Sequence, residues 1–336
     1  MEKITVDKQR NSSIELLRLL LMFVILLFHV IGHGSSIVSD GLNAFQIDGK
    51  IIFGKLLFYS FLYFPVDCFV IISGYFGIKL KTRKLIELWL SLFIVSITIS
   101  IIFFIYKIAD VSFIKSMLPL RYDIWWFMTN YFMLCLLSPL LNSIDTIEIK
   151  CPKVFLIILI CLDFIFHNAL ANFIICYIIG KMLKRITFSW KEIIGMIFIA
   201  VILHIVFVIF LAKRQSSHIF LILSNYSPII IIQAILIFLI FNSLNFSLHI
   251  INVISSVSLY VYLITDHPFI REKIVNYISE DAKNFNFLSI LTFTIILFIC
   301  SLICGGGIKF FISLLSGIFE KVRNVINKEK DSDCKE

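Results

Sequence analysis

Two basic side chains in the first apolar run have types and spacing suited to chemistry. Arg18 and His29 stand 11 positions apart in SIELLRLLLMFVILLFHV, residues 13–30. In a helix that separation is about 16 Å along the axis, and three turns bring the second side chain back to nearly the same face. An ionisable group inside a span costs about 2.5–3.5 kcal/mol on insertion scales, so it needs a partner or a task. Glu15, three residues before Arg18, can pair with it. Imidazole titrates near pH ~6.5, which suits a general base. The second apolar run carries Pro65-Val66-Asp67 and Ile72-Ser73-Gly74-Tyr75. If it crosses in the opposite sense and ends near Lys79, Asp67 reaches the depth of His29, and Ser73 that of Arg18. A carboxylate beside an imidazole fixes its tautomer and supports its cation. Asp67 is therefore expected to orient His29, and Ser73-Gly74 to mark a close approach of two helix backbones. Lys79, Lys81, Arg83 and Lys84 follow at the mouth of this run. With Arg18 and Ser73 they read as a docking surface for an anionic cofactor. The simpler alternative for the cluster is a signal of membrane orientation.

The elements that must position these groups are helices in lipid. The chain has 336 residues, 60% of them apolar and 15% charged. Soluble domains are about 45–50% apolar and about 25% charged, so water is the wrong solvent for this one. The 35 phenylalanines suit lipid-facing surfaces. A span needs about 20 mostly apolar residues. Ten candidates fall near 13–33, 58–78, 85–106, 124–142, 154–168, 169–184, 191–212, 226–246, 252–270 and 287–308. The fifth and sixth nearly touch at His167-Asn168, a turn, so eight to ten spans are expected in an all-α bundle. Lys and Arg outside the spans gather on the amino-terminal side, which places both termini in the cytoplasm. The net charge of +8 is thus orientation and not nucleic-acid binding. The expected organisation is an amino-terminal cytoplasmic segment (1–12), one transmembrane domain (13–316) and a charged cytoplasmic tail (317–336). Residues 308–326 read as an amphipathic helix lying on the membrane surface, with a disordered charged end beyond. The first run is too long and too charged for a cleaved leader. The cysteines show no metal or disulfide spacing, so no metal is expected. His204 reads as a structural histidine.

The arrangement of Arg18 and His29 resembles the signature of the transmembrane acyltransferase family three. The likeness extends to VDCFVIISGYFG (66–77), IWWFMTNYFMLCLLSPLLN (124–142) and SVSLYVYLITDHPFIR (256–271), and so covers nearly the whole chain. Thr265 stands where that family's late segment often carries His, with Asp266-His267 one step on. The resemblance implies an O-acyltransferase that moves an acyl group, commonly acetyl, from acyl-CoA to a hydroxyl of a cell-surface glycan or its lipid-linked precursor. Membrane lipid and polysaccharide-assembly proteins would be its partners. No hydrolase-like domain follows the last span, so the membrane unit is expected to complete the transfer alone or with a partner. In that chemistry His29 serves as base with Asp67 as orienter, or as a transiently acylated nucleophile. Arg18, Ser73, Lys81, Arg83 and Lys84 hold the coenzyme, and Asp123, Trp125, Asp266 and His267 line the acceptor site. The rival readings are a transporter or flippase of a polysaccharide-assembly pathway, and a non-catalytic scaffold.

Overall fold

Inside a bilayer every backbone amide must find its partner within the chain, and helices satisfy that segment by segment. The computed structural model describes residues 11–47, 50–214 and 224–333, and beyond Leu314 it describes the backbone alone. Lys3, Lys8, Arg10 and Lys335, part of the expected inner-side charge, lie outside the described residues. The first helix, α1 (Ser12–Gly34), starts at Asn11, whose side chain accepts the Ser13 amide. After it come α2 (Ile37–Asp40), a 3-10 turn and a small antiparallel ladder of β1 (Gln46–Ile47) and β2 (Lys50–Ile51). The ladder is the one departure from an all-helical expectation among the described residues. The chain continues through α3 (Phe53–Ser60), α4 (Pro65–Phe76), α5 (Thr82–Ile105), α6 (Phe113–Met117) and α7 (Trp126–Asn142). Next are α8 (Pro152–Phe166), α9 (Ala169–Leu183), α10 (Trp190–Lys213) and α11 (Pro228–Ser243). The last are α12 (His249–Ser255), α13 (Ser258–Thr265), α14 (Pro268–Asn284) and α15 (Phe287–Asp333).

Among the described residues, six segments are long and apolar enough to cross a membrane: 12–34, 53–76, 82–105, 126–146, 190–213 and 287–314. A seventh is gained if the pair around Thr265 and Pro268, bent by 78°, is one broken span. The protein is therefore an all-α, multi-pass membrane protein. Its outer helices present apolar side chains to lipid, as Leu140, Phe198 and Ile303, each about 70% exposed, illustrate. The expected fifth and sixth spans are α8 and α9, at 15 residues each. Each is about 22 Å long, against a hydrocarbon core of about 30 Å. They do meet at the expected turn: His167 adopts a left-handed conformation (φ 44°), and the Asn168 side chain accepts the amides of Leu170 and Ala171.

The tightest helix contact in the core is α4 on α9. A Cβ at Gly74 would collide with the carbonyl oxygen of Tyr177, and one at Gly180 with that of Ile71. Only hydrogen fits at either position, so the two backbones touch, as the Ser73-Gly74 pair suggested. His204, read from the sequence as a structural histidine, is fully buried. Its Nε2 lies 2.7 Å from Ser60 Oγ, its Nδ1 3.1 Å from Gln233 Nε2, and its ring stacks on Phe61. The carboxyl-terminal expectation needs correction. The last helix runs without a break from Phe287 to Asp333, so residues 308–326 form no separate surface helix, and the charged end is helical through Asp333. The segment contains no proline, and nothing in it removes an amide donor from the helical ladder.

Candidate active site

One face of α1 lines a passage. Arg18, Met22, Ile25 and His29, spaced four, three and four residues apart, all border a cavity of about 230 Å³. Its other walls are Val66, Phe69 and Ser73 of α4, Leu88 of α5, Phe127 and Tyr131 of α7, and Leu259 and Tyr262 of α13. At the Arg18 end it adjoins a mouth of about 350 Å³ bordered by Lys79, Lys81 and Lys84. The two share Arg18, Ser73, Leu88 and Tyr131. At the His29 end it adjoins a far cavity of about 360 Å³ bordered by Phe28, Tyr59, Tyr63, Asp266 and Arg271, with His29 and Trp126 common to both. A side branch of similar size, with Asn225 and Tyr226, also ends on His29 and Trp126. Cationic mouth, apolar middle and polar far end thus follow one another along a single helix.

Arg18 is held in place. Its guanidinium donates to Glu15 Oε1 at 2.7 Å, and Glu15 Oε2 accepts from Ser255 Oγ at 2.7 Å. The pairing of Glu15 with Arg18 is as expected, and it ties α1 to α12. Arg18 keeps a third of its side chain exposed, enough to meet a ligand. Ser73 Oγ donates to the Phe69 carbonyl at 2.9 Å and lies 3.3 Å from the Tyr131 hydroxyl. Lys81 and Lys84 border the mouth beside Arg18, whereas Arg83 turns away to pair with Glu87 at 2.9 Å.

His29 has a carboxylate beside it, but not the expected one. Its Nδ1 lies 3.5 Å from Asp266 Oδ1, and the same oxygen lies 3.5 Å from the Arg271 guanidinium. Asp67 faces elsewhere. It shares its side of α4 with the buried Val70, Ile71 and Gly74, the side that packs on α9, and Asn172 and Asp163 are near its carboxyl. Neither oxygen of Asp67 has a hydrogen-bond partner. The expected depth told nothing about the face, and the face is set by the glycine contact seven residues on. His33, one turn beyond His29, has its ring centroid 5.3 Å from that of His29. His29, His33 and Asp266 each offer a possible ligand atom, and these lie within 4.8 Å of one another.

The rest of the expected acceptor set is divided. Asp266 borders the far cavity. Trp125 does not: it is buried, with its ring edge-on to His267 at 5.7 Å, and its neighbour Trp126 takes the cavity wall. Helix α7 begins at Trp126, so no helical period relates the two tryptophans to the passage. His267 is buried, and its Nδ1 accepts the Phe269 amide as the cap of α14. Asp123 sits exposed in the loop before α7 with φ 49°, away from the cavity walls. Sequence reasoning missed Tyr131, Trp126 and His33. For His33 the signal was its place four residues after His29 on the same helix face.

Within a multi-pass helical frame, a partly buried imidazole thus shares one cavity with the arginine at a cationic mouth. The chain belongs to the acyltransferase family three, described as "Acyltransferase domain", whose model matches residues 11–307. It is a membrane-embedded, acyl-CoA-dependent O-acyltransferase whose acceptor is of glycan or lipid-linked type. No protein of curated function and no solved structure matches it.

Proposed function

We propose that this chain carries an acetyl group from cytoplasmic acetyl-CoA to a hydroxyl of a cell-surface glycan or its lipid-linked precursor, with His29 as the general base. The single observation that carries the reading is the passage along α1, which runs from Arg18 to His29. The phosphates of the coenzyme belong at the mouth, beside Arg18, Lys81 and Lys84, with Ser73 on the wall and the Tyr131 hydroxyl as a neutral donor. Arg83 adds charge from outside the wall. The pantetheine arm lies in the apolar middle, which spans about 16 Å of helix. The thioester then reaches His29, and the acceptor enters through the far cavity, against Trp126. Asp266, in the place expected of Asp67, stands 3.5 Å from Nδ1, where its charge favours the ring proton and leaves the Nε2 lone pair free. Nε2 takes the proton of the acceptor hydroxyl as its oxygen bonds to the thioester carbonyl carbon. The carbon–sulfur bond breaks, and the proton passes from Nε2 to the thiolate, giving the ester and free coenzyme A. Around this site we propose eight to ten spans, with α8, α9 and α11 counted among them and both termini cytoplasmic, as the Lys and Arg distribution favours.

The test is transfer of radiolabel from acetyl-CoA to glycan in isolated membranes. The wild-type chain should label the acceptor. His29→Ala should still insert and bind acetyl-CoA but lose about 100–10,000-fold in rate, the usual contribution of a positioned base. Near-normal labelling by a folded His29→Ala protein would refute the role given to His29, and absence of label with wild type would favour a transporter.

A further inference from the structure

We propose that His29, His33 and Asp266 form a binding site for a divalent transition-metal ion of the zinc class, and that the bound ion switches the base off. The inhibitory half rests on the reading of His29 as base; the site itself does not. The three ligand atoms lie within 4.8 Å of one another, so one ion of zinc size can touch all of them with small side-chain rotations. Two histidines four residues apart on a helix, with a carboxylate from another segment, make a common three-residue zinc set that leaves a fourth position for water. That position faces the far cavity, which His29, His33 and Asp266 all border. Imidazole nitrogen with one carboxylate favours zinc, copper or nickel over magnesium or calcium, which prefer oxygen ligands.

Inhibition follows from the two nitrogens of one ring. Without metal, Asp266 stands beside Nδ1 of His29, which keeps the ring proton there and leaves Nε2 as the acceptor. An ion seated between Asp266 and His29 takes the Nδ1 lone pair instead. A neutral imidazole bound through Nδ1 carries its proton on Nε2, so it can no longer accept one. Metal and substrate need not compete for space, because they compete for a tautomer. Arg271 sets the strength. Its guanidinium is 3.5 Å from the Asp266 oxygen that the ion would use, and like charge repels the ion.

The purified full-length protein, stripped with a chelator, is titrated with Co²⁺ and read by visible absorption, then with Zn²⁺ and read by calorimetry. Tetrahedral d–d bands and one ion per chain are expected. His33→Asn should weaken Zn²⁺ binding at least about tenfold, since even partners behind a metal ligand are worth about 10–100-fold. Arg271→Ala should tighten it. Zn²⁺ should inhibit transfer, and the half-inhibitory concentration in His33→Asn, scaled to that variant's own metal-free rate, should rise by the same factor as the binding constant. Absence of a Co²⁺ band in folded protein, or equal Zn²⁺ affinity in His33→Asn, would overturn the site. Binding that leaves transfer unchanged, or that raises it, would overturn the switch and leave the site standing. Since binding is read without turnover, loss of the acyltransferase reading would show separately.

Discussion

Replacing Asp266 with Asn, beside the parallel change of Asp67 to Asn, separates the two carboxylates that could serve His29. Asp266 has 4% of its side chain exposed and faces His29 Nδ1 at 3.5 Å, with Arg271 at the same distance from the same oxygen. Asparagine keeps the shape and removes the charge. A hydrogen bond to a charged group contributes about 1.5–3 kcal/mol. At 1.36 kcal/mol per tenfold, its loss in the transition state lowers the rate about 10- to 150-fold. The 3.5 Å separation in the resting state favours the lower end, unless the pair tightens when the ring becomes a cation. Asp67→Asn should leave turnover within about threefold of wild type, because its carboxyl faces α9 and not the passage. The assay is steady-state transfer from labelled acetyl-CoA by detergent-purified protein, with both substrates varied so that kcat and KM are separated. An Asp266→Asn protein that turns over at wild-type rate, beside an Asp67→Asn protein slowed tenfold, would refute the assignment and return the orienting role to Asp67.

Three further outcomes are expected. Arg18→Ala and Lys84→Ala should raise the KM for acyl-CoA more than they lower kcat, and Arg83→Ala should do so less, because Arg83 is turned toward Glu87; equal effects of Arg83 and Lys84 would show that the mouth acts by bulk charge alone. Gly74→Ala should destabilise the protein by about 1–3 kcal/mol or more, as overpacking does, because its methyl meets backbone that no rotamer change can move; thermal unfolding in detergent measures it, and an unchanged midpoint would contradict the crossing of α4 and α9. A cysteine placed at Ser36, just past the His29 end of α1, should react with an impermeant reagent from the outer side, and reaction from the cytoplasm alone would reverse the proposed orientation.

The parts of the site that lie on one helix were legible in the sequence. Arg18 and His29 needed only the helical period and an unbroken apolar run, and α1 supplies both. Glu15 was legible as the partner of Arg18 for the same reason. What lies between helices was not. Asp266 is 237 positions from His29, and no local period connects them, so the nearer-looking Asp67 took its place in the expectation. One clue to that error stood in the sequence: Asp67 is seven residues before Gly74, and two turns bring both to one face. A face marked by a glycine in a membrane helix is a packing face. Of the fold, the long spans were readable from apolar length. The lengths of α8, α9 and α11 were not, because proline and turn residues cut these runs in ways hydropathy does not register.

The apolar middle of the passage has a consequence for the membrane itself. A hole lined with polar groups from one side to the other would conduct ions and discharge the potential that the bilayer maintains. Between Arg18 and His29 the walls are mostly apolar, with Met22, Ile25, Val66, Phe69, Leu88 and Phe127, and among the described residues the hydroxyls of Ser73, Tyr131, Ser258 and Tyr262 are their only polar side chains apart from Trp126. Narrow hydrophobic constrictions shed their water and stop ions without any moving part. On the proposed mechanism, the stretch that accepts an uncharged pantetheine arm would therefore double as an electrical insulator. On that mechanism charge stays at either end and the middle passes only a tether that carries none, so the two faces of the membrane would exchange an acyl group while remaining sealed from each other.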